Sequence, residues 1–199
     1  MSRYNIRNIP IVGVVAAMGL LAISSYQYSG NLHWTRVTVS LLCAPNLPDG
    51  NPNPGRELPI TALVLLCASM SLLFHLISRL AETRVQHDAI QIGGIGSQVY
   101  SLLTATPLHN LMVNITVVFF MVAIIAIASM LFRKQNYRLA IFGVTCIVMN
   151  LGSVSLYYAG TYAELWGVFQ KLSFIVTTTW LVAVHLRVKP KSDRNITAG

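Results

Sequence analysis

The sequence predicts an all-α integral membrane protein, a single bundle of six transmembrane helices formed by residues 1–199 with both termini in the cytoplasm. Its 199 residues are 54% hydrophobic and only 10% charged, whereas about a quarter of the residues in a soluble domain are charged. Apolar runs of bilayer-spanning length recur along the chain. Basic residues collect at the ends of these runs, which is typical of the signals that set membrane topology.

Five apolar runs approach the ~20 residues that a helix needs to cross ~30 Å of hydrocarbon. The first could be a secretory signal peptide, but its apolar core is longer than most signal-peptide cores, so we interpret it as a retained span. The five runs lie at about 9–28, 59–80, 111–132, 139–159 and 165–186.

A sixth span is predicted at 89–106, although this segment is only weakly apolar. Small residues occupy every fourth position there, which places them in one stripe along a helix. Such a stripe lets a second helix approach closely, as membrane helices do when apolar burial gives no advantage. The stripe consists of Ala89, Gly93, Ser97, Ser101 and Ala105.

The distribution of basic residues also favours six spans. With a cytoplasmic N-terminus, eleven Lys and Arg residues fall on inner segments, including a tail at 187–199, whereas only Arg36 and Arg56 fall on outer segments. Five spans would break the positive-inside rule, and the six-span topology fits a bacterial-type inner membrane. The outer side then holds a long loop at 29–58. It contains "CAPNLPDGNPNPGRELP", whose five prolines and two glycines argue against a regular helix there.

The sequence gives no indication of nucleic-acid binding, of a metal site or of a known catalytic or cofactor motif. The formal net charge of +8 is not arranged as a basic stripe interleaved with aromatic residues, so nucleic-acid binding is not expected. The three cysteines lack metal-site spacing, and no acidic residue lies deep in a span. No catalytic triad, phosphate-binding loop or dinucleotide fingerprint is present, so we predict neither a metal nor a cofactor.

Three stretches of sequence give a family resemblance. The segment "RVTVSLLCAPNLPDG" at 36–50 follows the first span, and a Gly-rich third span runs into "PLHN" at 107–110. The last span opens with "WGVFQK" at 166–171 and carries a central Trp180. This layout resembles the bacterial six-span family known as DUF998 and, more remotely, the Frag1/DRAM-like membrane proteins. The resemblance implies a membrane-embedded fold and no particular activity.

Polar residues gather at the outer ends of the fourth and sixth spans. Because side chains in a helix lean toward its N-terminus, the ammonium of Lys171 is expected to reach outward, toward Glu164 and the headgroups. If these two spans pack together, His109 and Glu164 come within hydrogen-bonding reach. The alternative is that the cluster only caps helices and anchors the protein at the interface. The predicted ligand-binding cluster is His109, Asn110, Glu164, Trp166, Gln170 and Lys171.

A second polar stripe lies on the inner half of the second span, where Ser71, His75 and Arg79 follow Cys67 at intervals of four. A polar face on a membrane helix is expected to point into the bundle. It could line an inward cavity or carry protons through His75. It could equally hydrogen-bond a neighbouring helix, as is expected of Asn114 and Asn150.

The sequence supports three functional hypotheses. The first is a non-enzymatic membrane protein that binds a lipid or small ligand at the outer cluster, or a subunit of a membrane complex. The second is a lipid-modifying enzyme in which His109 and Glu164 act as an acid–base pair. The third is a small transporter, although no convincing internal repeat is visible. Membrane lipids are the expected partners, and further subunits or copies of the chain remain open alternatives.

Overall fold

The computed structural model describes residues 3–28, 37–106, 108–160 and 163–188, without the side chains of 3–7 and 163–164. This part of the chain is all α, and a single isolated bridge joins Asn46 to Pro52. The helices are α1 (Arg3–Tyr26), α2 (Val39–Cys43), α3 (Glu57–Ser78), α4 (Arg84–Leu103), α5 (His109–Arg133), α6 (Tyr137–Ala159) and α7 (Ala163–Arg187).

Five of these helices are long and apolar enough to cross a membrane, namely α3, α5, α6, α1 from Asn8 and α7 from Leu165. Their exposed surface is covered with large apolar side chains, which in water would be unfavourable and in a bilayer face lipid. The protein is therefore a helical membrane protein, and this prediction is confirmed.

The helix α4 is the segment for which the third span was predicted. Its 20 residues make it slightly shorter than the five apolar helices, which have 22 to 25 residues, and it is less apolar. It begins five residues earlier than predicted because Thr83 caps its N-terminus, accepting a hydrogen bond from the Gln86 amide at 3.3 Å. The cap adds a polar first turn, which a search for apolar runs leaves out.

Within the bundle, α4 lies between α3 and α5, and α1 packs on the other side of α3. The backbones of α4 and α5 approach closely, since a Cβ on Gly93 would lie only 2.8 Å from the Phe119 carbonyl oxygen. On the small-residue stripe, Gly93 and Ser97 are buried, Ala89 and Ser101 are half-buried, and Ala105 is exposed. Close packing therefore involves the middle of the stripe.

The end of the bundle that contains the turns at 79–83 and 134–136 is tightly packed, and we call it the termini end. The ammonium of Lys134 lies 4.0 Å from the Glu82 carboxylate and links the two turns. In the adjoining half of the bundle, the indole of Trp180 is fully buried and its Nε1–H donates to the Leu139 carbonyl at 2.8 Å.

The opposite end, here called the loop end, contains the segment between α1 and α3. The short helix α2 at Val39–Cys43 is capped by Thr38 and ends where the Pro- and Gly-rich stretch at 43–59 begins. The buried side chain of Asn53 holds the segment in place, because its amide donates to the carbonyls of Leu42 at 3.0 Å and Ala44 at 3.1 Å. The short helix α2 is thus fixed across the loop end.

Candidate functional site

A cavity of about 660 Å³ occupies the half of the bundle nearest the loop end, and side chains from all seven helices line it. On α5 the lining begins at His109 and stops at Phe120, and on α7 it runs from Trp166 to Thr178. The cavity therefore reaches from the loop end to about the middle of the bundle. This depth corresponds to one leaflet of a bilayer.

Most of the cavity wall is apolar, with the deeper part formed by residues such as Leu66, Met70 and Phe120. The basic side chains of the described lining are His109 and Lys171, and no Asp or Glu is among these lining residues. The lining thus combines a largely apolar volume with a positive charge toward one end. That combination favours a ligand that is itself amphipathic and carries a negative charge.

His109 is held in one orientation by the turn that precedes α5. Its Nδ1 lies 2.7 Å from the carbonyl oxygen of Thr104. Because a carbonyl can only accept a hydrogen bond, Nδ1 carries the proton and donates. The other ring nitrogen, Nε2, is then an acceptor in the neutral ring and a donor when the ring is charged.

Within the described part of the chain, two buried polar atoms on lining residues have no hydrogen-bond partner, namely Gln170 Oε1 and Thr116 Oγ1. Buried polar atoms are nearly always paired with protein or with ordered water. The amide oxygen of Gln170 requires a donor, whereas the hydroxyl of Thr116 can donate or accept. A bound molecule with hydroxyl groups near its polar end would satisfy both.

Two tyrosines of α6 form hydrogen bonds to asparagines of α5 beside the cavity. The hydroxyl of Tyr157 donates to the Asn110 amide oxygen at 2.9 Å, and the hydroxyl of Tyr158 donates to that of Asn114. The ring of Tyr157 also lies 5.3 Å from that of Trp166, measured between centroids. We call these two tyrosine–asparagine pairs the tyrosine latch.

The predicted outer cluster is only partly assembled, because the two helices that carry it do not pack along each other. The helix α6 lies between α5 and α7, so His109 and Lys171 contribute to one cavity rather than to one helix interface. Trp166 and Gln170 also line the cavity, and Asn110 is bound by Tyr157. The side chain of Glu164 lies outside the described residues, so its predicted pairing with His109 stays a prediction.

The predicted inner stripe on α3 does not contribute to this cavity beyond Cys67. Ser71 and His75 are half-buried, and Arg79 is exposed at the termini end. The amide of Asn150 donates to the Thr177 hydroxyl at 2.9 Å and links α6 to α7. That interhelical amide bond agrees with the prediction from sequence.

Sequence reasoning missed three contributors to the site. They are Tyr157 and Tyr158, at the loop end of α6, and Thr116 on α5. A usable signal was present, since Asn110 and Asn114 are four apart and so share a face of α5. Two amides on one face of a membrane helix require partners, and adjacent tyrosines at the same end of α6 can supply them.

No family model, curated protein or solved structure matches this chain significantly. The resemblance to the DUF998 family therefore stays a prediction. Among the described residues no group of three or more His, Cys, Asp or Glu side chains could hold a metal ion.

Proposed function

We propose that this protein binds an anionic amphiphile, a molecule with a hydrocarbon part and a negatively charged polar group, in the cavity at its loop end. The observation that carries the proposal is a mainly apolar cavity of about 660 Å³ whose described lining includes Lys171 and His109 but no carboxylate. Its volume falls in the range of ~300–1,000 Å³ that is usual for ligand sites. The unpaired atoms of Gln170 and Thr116 support a ligand with hydroxyl groups.

The proposal includes a six-span topology with both termini in the cytoplasm and the loop end outside. Support comes from α4, whose exposed large side chains are Val85, Ile92, Val99 and Leu103. Its polar Gln86, Ser97 and Gln98 are buried instead. A helix with its polar residues turned inward and its apolar residues outward suits a lipid environment.

Cysteine accessibility tests whether α4 crosses the membrane. Glu82→Cys and Thr106→Cys probe the two ends of this helix, and we expect a membrane-impermeant maleimide added outside intact cells to label only Thr106→Cys. Permeabilised cells should show both sites labelled. Labelling of both from the same side would rule out a sixth span.

Background labelling in this experiment is expected to be low, because the native cysteines Cys43, Cys67 and Cys146 are buried. Burial raises the pKa of the Cys43 thiol to about 11, an effect that the Arg56 guanidinium offsets only in part. At pH 7 about one such thiol in ten thousand is ionised, and only the thiolate reacts. The unmodified chain is the control, and its labelling should rise as the pH is raised toward the pKa of Cys43.

Lipid binding is tested by native mass spectrometry of the purified protein. We expect wild-type protein to retain an anionic phospholipid, phosphatidylglycerol, in preference to phosphatidylcholine with the same chains. Replacing Lys171 by Gln should weaken binding of the anionic lipid about tenfold, since a hydrogen bond to a charged group contributes ~1.5–3 kcal/mol. Glycerol phosphate alone serves as a probe without a hydrocarbon chain.

Arg133→Gln is the matched control, because Arg133 is an exposed basic residue on α5 at the termini end. It removes the same charge from the protein without touching the cavity. Equal losses in the two variants would mean that binding follows net charge only. If glycerol phosphate binds as tightly as the lipid, the site takes a small anion and the amphiphile proposal is wrong.

A second candidate is the lipid-modifying enzyme, and the orientation of His109 favours it. A ring whose Nδ1–H donates to a fixed carbonyl presents Nε2 as a possible base. His109→Ala and Glu164→Gln should then abolish a product that wild-type protein forms from a lipid extract. If wild-type protein forms no product that both variants lose, the cavity binds its ligand without chemistry.

A further inference from the structure

The halves of α5 and α6 nearest the loop end are held together differently from the rest of the bundle. The buried residues of α6 are Leu139, Ala140, Gly143 and Cys146, all in its half nearest the termini end. On α5, Met112 is buried, and the other buried positions begin at Ala123. Near the loop end the two helices therefore share few packed side chains, and the tyrosine latch spans the space between them.

At this same place the cavity lining includes residues that are exposed on the outer surface of the bundle. Asn114, Val118 and Tyr158 line the cavity, yet all three are exposed. Val118 is 63% exposed on a helix that faces lipid. These side chains therefore lie between the cavity and the lipid-facing surface. Phe174 and Ile175 of α7 also line the cavity and are exposed, so the choice of the α5–α6 side rests on the tyrosine latch.

A ligand that approached the cavity along the bundle axis would meet a packed apolar segment at the loop end. Val37, Leu42 and Cys43 line the cavity at the loop end and are each at most 3% exposed. The side chain of Asn53 fixes this segment through two hydrogen bonds. Opening that route would expose a packed apolar cluster, whereas opening the route between α5 and α6 breaks two hydrogen bonds.

We infer that α5 and α6 form a lateral gate through which the hydrocarbon chain of a membrane phospholipid passes from the surrounding leaflet into the cavity, and that the tyrosine latch holds the gate closed. This inference rests on the proposed function and names its ligand as a lipid taken from the bilayer. With the latch closed, each tyrosine hydroxyl satisfies an asparagine amide that would otherwise face hydrocarbon. With the gate open, the polar end of the lipid can replace the hydroxyl as their partner.

The test measures the rate at which phosphatidylglycerol with brominated chains exchanges into protein in lipid nanodiscs, followed by native mass spectrometry. In the double variant Asn114→Cys/Tyr158→Cys, a short bis-maleimide links α5 to α6. The same variant treated with a monofunctional maleimide is the control, since both carry the same substitutions. We expect exchange to be at least tenfold slower when the helices are cross-linked.

Tyr157→Phe and Tyr158→Phe test the latch itself, because each removes one hydroxyl and retains the ring. We expect exchange to become several-fold faster in each variant while the fraction of protein with bound lipid at equilibrium stays the same. If the tyrosines had only a structural role, each substitution would lower the stability of the protein or the fraction of protein with bound lipid. It would not make lipid exchange faster at an unchanged bound fraction. Ile23→Trp changes a lipid-facing residue of α1 that does not line the cavity, and it is expected to leave the exchange rate unchanged.

The outcomes separate this inference from the proposal on which it rests. If cross-linked protein exchanges lipid as fast as its control while Lys171→Gln still weakens binding, the gate is wrong and the binding site stands. Slower exchange in Ile23→Trp alone would place the entrance beside α1 and also overturn the gate. If wild-type protein takes up no phospholipid, both the binding site and the gate are wrong.

Discussion

Replacing Trp180 by alanine is expected to cost ~3–5 kcal/mol in the free energy of unfolding, the usual range for removing a large buried aromatic side chain. The indole is fully buried and packs on Gly143, where an added Cβ would lie 2.5 Å from the ring. Its Nε1–H also supplies a hydrogen bond from α7 to the Leu139 carbonyl of α6. The variant therefore loses packing and an interhelical bond together.

The measurement is unfolding of the purified protein in mixed detergent micelles with increasing sodium dodecyl sulfate, followed by circular dichroism. Leu172→Ala is the control, since Leu172 lies on the same helix but is 48% exposed and faces lipid. It should cost less than ~1 kcal/mol because no packed neighbour is lost. Similar losses in the two variants would contradict the burial of Trp180 between α6 and α7.

Replacing Gly93 by alanine is expected to lower the free energy of unfolding by ~1–3 kcal/mol, although alanine favours a helix over glycine by ~1 kcal/mol. The added Cβ would lie 2.8 Å from the Phe119 carbonyl oxygen and 3.1 Å from the Ala123 nitrogen. Both atoms belong to the backbone of α5, which cannot rotate away as a side chain can. The two helices must separate, and their contact is lost along several turns.

The same detergent titration checks this second prediction, with Gly19→Ala as the matched control. Gly19 lies within α1, and nothing lies within 4 Å of an added Cβ there. That variant should be neutral or slightly more stable, because only the helix propensity changes. If Gly93→Ala is as stable as Gly19→Ala, α4 and α5 are not in close backbone contact.

The packing role of glycines shows how far sequence reasoning reaches. A stripe of small residues at intervals of four indicates that some helix comes close, because no large side chain intervenes. It does not indicate which helix. In the structure, Gly93 faces the backbone of α5, whereas the adjacent Gly94 faces Phe74 of α3. Successive residues on a helix point about 100° apart, so α4 can serve two neighbours at once.

The candidate site could be predicted from the sequence only in part. The sequence indicated that His109, Gln170 and Lys171 lie near one end of the bundle, because each stands at the start of an apolar run. It left open whether the two helices that carry them pack together, and in the structure α6 lies between them. The residues meet across a cavity instead, and no local pattern in a sequence predicts an empty volume.

Apolar run length and composition, by themselves, determined that this chain is a helical membrane protein and determined five of its long helices, since hydrocarbon requires internally bonded segments of a set length. The periodicity of small residues determined that α4 packs closely. Only the tertiary structure decided the neighbours of each helix, the cavity and the tyrosine latch. These depend on side chains such as Asn114 and Tyr158, which are 44 residues apart in sequence, and contacts at that distance follow from the arrangement of whole helices.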